Sequence, residues 1–383
     1  MLDPERSLEL RRQGVADLAR STPPSEAAEL WRYSGIDRFE ASKFSTANDP
    51  SAIVLSVVDL PLSATAGGVR VENDTDVAAE PEYFGALGLA HCASRIVIRV
   101  PANVELVEPI RITSTLSAAG TAGTSVRVVL GVNSSATVIE EFRSDTADRG
   151  PALLVGRTVL DLADGARLRH ASVQLVDDRD WFVGSLVATT PRDATLSSVA
   201  VALGGAYARL ETTARATERG AHNELLAVYF AADDQVHDFR TRQDHLAPRT
   251  TSDLLFKGAV DDRARSVYSG LIHIAKDARG TVAHQTNRNL LLSPESSAES
   301  VPNLEIENND VKCSHASAVG PIDEDHRYYL ESRGVPPSEA ERLIVLGFFA
   351  ELLTRVPDDA LRSELVAAVG VKFDRRTLSR RTT

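Results

Sequence analysis

The chain has 383 residues, 43% of them hydrophobic and 25% charged, ordinary proportions for a folded protein with a large core and room for two or three domains. A formal net charge of −12 excludes a general nucleic-acid binder and disfavours docking on anionic membranes. No apolar run approaches the roughly 20 residues that cross a bilayer. Met1-Leu2-Asp3-Pro4-Glu5-Arg6 has no basic start leading into an apolar segment, so no signal peptide is expected, and two distant cysteines, Cys92 and Cys313, make no disulfide framework; a reducing, cytoplasmic setting follows.

Residues 1–94 read as a helical or α/β region. Glu5 to Arg20 sets Leu8, Leu10, Val15 and Leu18 among charges without a β-branched run, which predicts a helix. Pro23-Pro24 breaks it, and Ser25 is the candidate N-cap of a second short helix reaching Trp31. Ile53 to Leu60 predicts a strand, followed by a shorter one near Val69 to Val71.

Over residues 95–322 the pattern becomes one of short β-rich runs, such as Ile96–Val100, Ser125–Leu130, Thr158–Leu162 and Gly184–Thr189. Several are followed by a polar turn closed by alanine: Ala136, Ala166, Ala194 and Ala221, spaced by 30, 28 and 27 residues, with later examples at Ala264 and Ala278. A degenerate repeat of this kind marks a β-solenoid. A sandwich or barrel competes with it, but so long a stretch without a helical pattern and with few aromatics favours a parallel β-helix.

Residues 323–383 read as a helical domain. Ser338 and Glu341 have capping-box spacing, and Leu343, Ile344, Leu346, Phe348 and Leu352 supply an apolar face. A last helix from Asp359 to Val369 is expected to stop at Gly370, leaving Lys372 to Thr383, with Arg375, Arg376, Arg380 and Arg381, as a frayed solvated tail.

The candidate site is Cys313-Ser314-His315, at what reads as the end of a strand beginning near Leu304. On a strand, side chains two apart share a face at about 6.5–7 Å, so a thiolate and an imidazole there could meet one soft metal or one partner surface. The plainer alternative is a packed cysteine and a histidine satisfied by carbonyls. His222, His237, His245, His273 and His284 fall on different predicted rungs and show no zinc-type spacing. Asn287 and Asn289 suit side-chain ladders or turn caps. No phosphate-binding loop is present, so the chain is not expected to hydrolyse ATP. Asp161, Asp164, Asp233, Asp234, Asp261 and Asp262 leave open a β-helix carbohydrate lyase or hydrolase, against which stand the two Trp and the missing secretion signal.

The run Leu304–His315, with Gly320-Pro321-Ile322-Asp323 and Tyr328–Val335 after it and Trp31-Arg32-Tyr33 near the start, resembles the SufB/SufD family of iron–sulfur cluster assembly proteins, most closely from Leu203 to Ala350. Cys-Ser-His is the SufD order; SufB has His-Glu-Ala there, and a mid-chain sulfur-accepting cysteine that this sequence lacks. One departure is Ala316-Ser317, where the family commonly has Gly-Ala. The resemblance implies a right-handed parallel β-helix core and a scaffold subunit without ATPase activity. It implies pairing with a SufB-like subunit and docking of a SufC-like ATPase on the C-terminal helices, with Phe348 and Phe349 as candidate contacts. His315 would be an iron ligand or proton acceptor at the SufB interface, with Cys313 beside it. Iron or a cluster would be held only transiently, no cofactor firmly, and flavin binding is left open. A homodimer of the isolated chain is left open, as is the resting oligomeric state; a SufB-like homodimeric scaffold is the alternative.

Overall fold

Alternating apolar residues make each β-rich run a strand with one face turned to a shared interior. In the computed structural model, which describes residues 4–44, 53–73, 82–145 and 148–379, these strands stack into two nine-stranded sheets. The first contains Val54–Asp59, Ile110–Leu116, Ser135–Ser144, Arg167–Leu175, Thr195–Ala202, His222–Ala231, Thr251–Val260, Thr281–Leu291 and Val311–Pro321. The second contains Arg70–Asn73, Cys92–Val100, Gly120–Leu130, Ala152–Leu162, Trp181–Thr190, Tyr207–Ala216, Val236–His245, Arg265–Ile274 and Ser297–Ile306. From Cys92 onward the chain alternates between sheets. Neighbours are parallel except at the front, where Val54–Asp59 and Arg70–Asn73 lie antiparallel on the first full rung. This is the mainly β, parallel β-helix architecture expected, a solenoid of about eight turns with helices at both ends of the sequence.

The turns entering the first sheet explain the repeat. Asn133, Gly165, Asp193, Gly220, Arg249 and Gly280 are left-handed, with φ from 54° to 79°. Glycine takes this conformation without strain, and Asn and Asp tolerate it. The next residue turns inward and is buried: Ser134, Ala166, Ala194, Ala221, Thr250 and Thr281. Rungs are tied through these corners, as where the Asn133 N–H donates to the Asp164 carbonyl at 2.9 Å and the Gly165 N–H to that of Arg192 at 2.9 Å. The expected alanine series therefore mixed registers. Ser134 and Thr281, not Ala136 and Ala278, hold this column, and Ala264 closes a turn on the opposite edge, after left-handed Asp262.

The N-terminal segments cover the outer face of the second sheet. Helix α1 (Pro4–Leu18) is the one expected; α2 (Leu62–Ala66) and α3 (Tyr83–Ala90) were not. The helix expected from Ser25 is only a 3-10 turn at Glu29–Trp31 with no side-chain cap. Trp31, Ile36 and Phe84 pack with Val155, Trp181, Val183 and Tyr207 of the sheet. Buried Arg209 stacks on Trp31 at 3.8 Å from its ring centroid and pairs with Asp238. Arg240 bridges Asp238, at 2.7 Å, and the Arg32 carbonyl, at 2.8 Å. The Trp-Arg pair is thus clamped to the solenoid by guanidinium groups whose charge is met.

Helices α4 (Glu324–Ser332), α5 (Pro337–Leu353) and α6 (Asp359–Ser379) fold back over the outer face of the first sheet. Val345, Phe349, Leu352, Leu365 and Val369 share one buried cluster with Ile139, Val173, Val199, Val201, Val228 and Phe230. Ion pairs fasten the margin: Arg111–Asp358 at 2.6 Å, Arg143–Glu364 at 2.8 Å, Arg355–Glu224 at 2.6 Å and Lys257–Glu351 at 2.7 Å.

Three local expectations fail here. Helix α5 starts at Pro337, whose fixed φ and missing N–H suit a first turn, so Ser338 lies inside the helix and makes no capping bond. Helix α6 passes through Gly370, which is buried against Arg342 of α5, a guanidinium nitrogen standing 2.9 Å from where a Cβ would be. Lys372 belongs to no frayed tail: its ammonium sinks under α6 and donates to the Leu203 carbonyl and, at 2.6 Å, to Gln235 Oε1. Arg375 pairs with Asp178 at 3.3 Å, while Arg380 and Arg381 lie outside the described residues.

Candidate functional site

Strand Val311–Pro321 pairs in register with Thr281–Leu291 and is the last strand of its sheet. Glu307 to Asp310 separates it from Ser297–Ile306, so Cys313 and His315 stand near its beginning, not at the end of one strand running from Leu304. In-register parallel neighbours face the same way. Cys313 lies over Ala283, His315 over Gln285 and Ser317 over Asn287, all three lower residues being buried in the interior. Cys313 and His315 therefore share the inward face, as strand spacing predicts. They sit at the mouth of the solenoid, where the interior runs out to its open end.

The terminal strand of the second sheet forms the opposite wall. Leu304 lies over Ile272 and Ile306 over Ile274 in the inward column, yet they are 38% and 42% exposed because no further rung covers them. Cys313 is half-buried against Ile272, Ile274, Ala278 and Ala283, and burial pushes its thiol pKa up, which favours the protonated form. His315 is exposed. On the outer face His284 Nδ1 lies 2.7 Å from Ser314 Oγ, turned away from the mouth.

Below the mouth the interior is polar. Tyr229 OH donates to Asn289 Oδ1 at 2.7 Å, Asn287 donates to Tyr229 OH at 2.9 Å and Asn289 to Asn287 Oδ1 at 2.8 Å, the side-chain ladder expected of these asparagines. Sequence reasoning passed over Gln285 in the same segment. It is 1% exposed, and neither end of its amide has a hydrogen-bond partner.

The other histidines are dispersed. His237 is buried with Nε2 3.1 Å from the Gly204 carbonyl, and burial drives its pKa down to about 3. His245 lies between Thr250 and Ser252 hydroxyls at 2.8 Å each, its pKa pushed down by burial to about 4. His273 pairs with Asp244 at 3.1 Å on the outer face, and His222 opens a strand far from the mouth. Among the described residues no group of three or more His, Cys, Asp or Glu could hold a metal ion. A Ser198–His170–Glu140 chain, with contacts of 3.0 and 2.9 Å, has the partners of a hydrolytic triad but is sealed inside the solenoid, so no substrate reaches it. Of the acidic residues that leave glycoside chemistry open, Asp161 lies within strand Ala152–Leu162 and pairs with Arg127 at 2.7 Å, and Asp234 pairs with Arg263 at 2.7 Å, so both are engaged by guanidinium groups. A cavity of about 290 Å³ lies elsewhere, between the N-terminal segments and the second sheet, lined by Trp31, Phe84, Arg157 and Arg209.

Phe349 is fully buried under α5, and Phe348 is partly buried against the same cluster, with the Lys257 ammonium 5.1 Å from its ring centroid. Large apolar side chains that do reach the surface of the helical layer include Tyr328, Tyr329, Leu343, Val366 and Val371. No helix among the described residues is long and apolar enough to cross a membrane.

Comparison with known proteins places the chain in a family. Residues 113–348 match the family described as SUF system FeS cluster assembly, SufBD core domain. An iron–sulfur cluster assembly SufBD family protein of Mycobacterium tuberculosis is 29% identical over 370 residues, covering 94% of this chain and 92% of that protein. The iron–sulfur cluster assembly protein SufD of Escherichia coli is 27% identical, with 94% and 92% covered, and SufD of Bacillus subtilis 27% identical, with 76% and 67% covered. With the matched segment spanning well over half the sequence and nearly all of the β-helix, the chain belongs to the SufBD core family of the SUF iron–sulfur cluster assembly system.

Proposed function

We propose that this chain is a SufD-like scaffold subunit without ATPase activity, which pairs with a SufB-like subunit across the open end of its β-helix. The observation that carries this reading is the uncapped last rung. Two terminal strands offer free edges, and the inward column surfaces as Cys313, His315, Leu304 and Ile306. Exposed strand edges flanking apolar side chains favour addition of another sheet. A partner β-helix closing this end would bury the apolar wall and enclose His315. A neutral imidazole there suits Fe(II), and iron or a nascent cluster would be cargo held transiently between the subunits. Cys313, protonated and partly packed, is the weaker candidate ligand.

The SufC-like ATPase would dock on the helical layer. Burial of Phe349 moves the candidate contacts to the exposed residues Tyr328, Tyr329, Leu343 and Val366. Because that layer is packed on the first sheet, closure of the ATPase could be passed to the β-helix and alter the subunit interface. Isolated chains would pair through the same open end.

The test is co-expression with SufB-like and SufC-like subunits. Leu304→Glu with Ile306→Glu should lose the SufB-like partner and keep the SufC-like one; Tyr328→Ala with Tyr329→Ala should do the reverse. Retention of the SufB-like subunit by the double glutamate variant would refute docking at the open end.

A further inference from the structure

The orphaned amide of Gln285 lies in an inward column whose order is Leu225, Leu254, Gln285, His315. Leu225 and Leu254 are buried, so beneath Gln285 the column offers only hydrocarbon. Across the interior Gln285 rests on Gly270, where an added Cβ would stand 2.7 Å from its Nε2. The nearby hydroxyl of Tyr268 lies 2.9 Å from Thr241 Oγ1. The one polar side chain adjoining Gln285 in its own column is His315, on the terminal rung.

A buried amide with neither end bonded is costly, and a leucine or methionine would serve the isolated fold better. Such a group calls for a partner that arrives with function. Resting on the reading that His315 holds iron at the closed subunit interface, we propose that Gln285 is a positioning residue for His315. When the open end is covered, Gln285 Oε1 accepts the N–H of the inward ring nitrogen. This selects one tautomer and leaves the lone pair of the other nitrogen directed at the interface. A metal-binding histidine is held in this way by an acceptor on its second nitrogen, and loss of such an acceptor commonly reduces affinity or activity 10–100-fold.

The test uses the complex co-expressed with SufB-like and SufC-like subunits and compares Gln285→Leu, Gln285→Glu, His315→Ala and the double variant Gln285→Leu/His315→Ala. Gln285→Leu should keep subunit stoichiometry and leave the melting temperature of the isolated chain equal or higher, while cutting cluster yield about tenfold or more. Gln285→Glu restores an acceptor; it should recover most of the yield and move the pH profile of assembly upward, since a carboxylate beneath the ring stabilises its protonated form. Adding Gln285→Leu to His315→Ala should cost nothing more. Full cluster yield from Gln285→Leu beside a defective His315→Ala would overturn this inference alone. Full yield from His315→Ala would remove the reading on which it rests. A fall in melting temperature with Gln285→Leu that matches its loss of yield would assign Gln285 a structural role and also overturn the inference.

Discussion

Replacing Lys372 by methionine should change how stability responds to pH. The lysine side chain carries its ammonium under α6, against the Leu203 carbonyl and Gln235 Oε1. Burial lowers its pKa to about 8; Asp178 and Asp233 oppose the change and Arg375 adds to it. His237 is already neutral throughout this range. In the unfolded chain the lysine titrates near its ordinary 10.5. Below pH 8 both states hold the proton, and the cost of burying the charge is present in full. Between about 8 and 10.5 the unfolded chain binds more protons than the folded one, so stability rises with pH. At about 1.4 kcal/mol per pH unit, that interval bounds the gain at about 3 kcal/mol. Methionine keeps the length of the stem and removes the titration, and Gln235 Oε1 retains its bond from the Ala232 N–H at 3.0 Å. Urea unfolding of both proteins from about pH 7 to about pH 10.5 gives a difference in which all shared groups cancel. The native chain should gain on Lys372→Met by up to about 3 kcal/mol, mostly between pH 8 and 10. A constant difference would mean that the ammonium is solvated and that the α6 contact is not as described.

Phe349→Ala should destabilise the chain by about 3–5 kcal/mol, because the ring is fully buried between α5 and the first sheet; thermal unfolding with matched urea titrations measures it. Truncation after Asp323 should yield an aggregation-prone protein and not merely a complex lacking the ATPase, since it strips the cover from Ile139, Val173, Val201, Val228 and Phe230; a monodisperse, fully folded truncation in light scattering would contradict the shared core. Cys313→Ala should lower cluster yield less than His315→Ala in the same complex, because the thiol is packed and its pKa raised; an equal or larger loss would make Cys313 a ligand.

The β-helix was legible because its physics is local and repeated: small residues after polar turns, and apolar alternation in many of the runs. The register of that repeat was not, since Ser134 and Thr281 serve the corner as well as alanine does and alanines also occur one turn away. The tail was misread for a related reason. Gly370 and Lys372 look like helix-ending and solvent-facing residues until Arg342 and the Leu203 carbonyl, distant in sequence, come to meet them. Spacing put Cys313 and His315 on one strand face, and the family resemblance made them the candidate site; the shared inward face follows from strand geometry. Their exposure could not be read, because it depends on where the stack of rungs stops. Gln285 escaped notice because an orphaned amide is visible only once every neighbour has a position.

The proposed function has His315 serving cluster assembly at an interface made by the open end of the β-helix. Its most direct test is iron and acid-labile sulfide per complex, measured on co-purified native and His315→Ala assemblies of verified subunit stoichiometry. The His315→Ala complex should stay intact and show a clear deficit of both iron and sulfide. Native levels of both in the intact variant complex would contradict it.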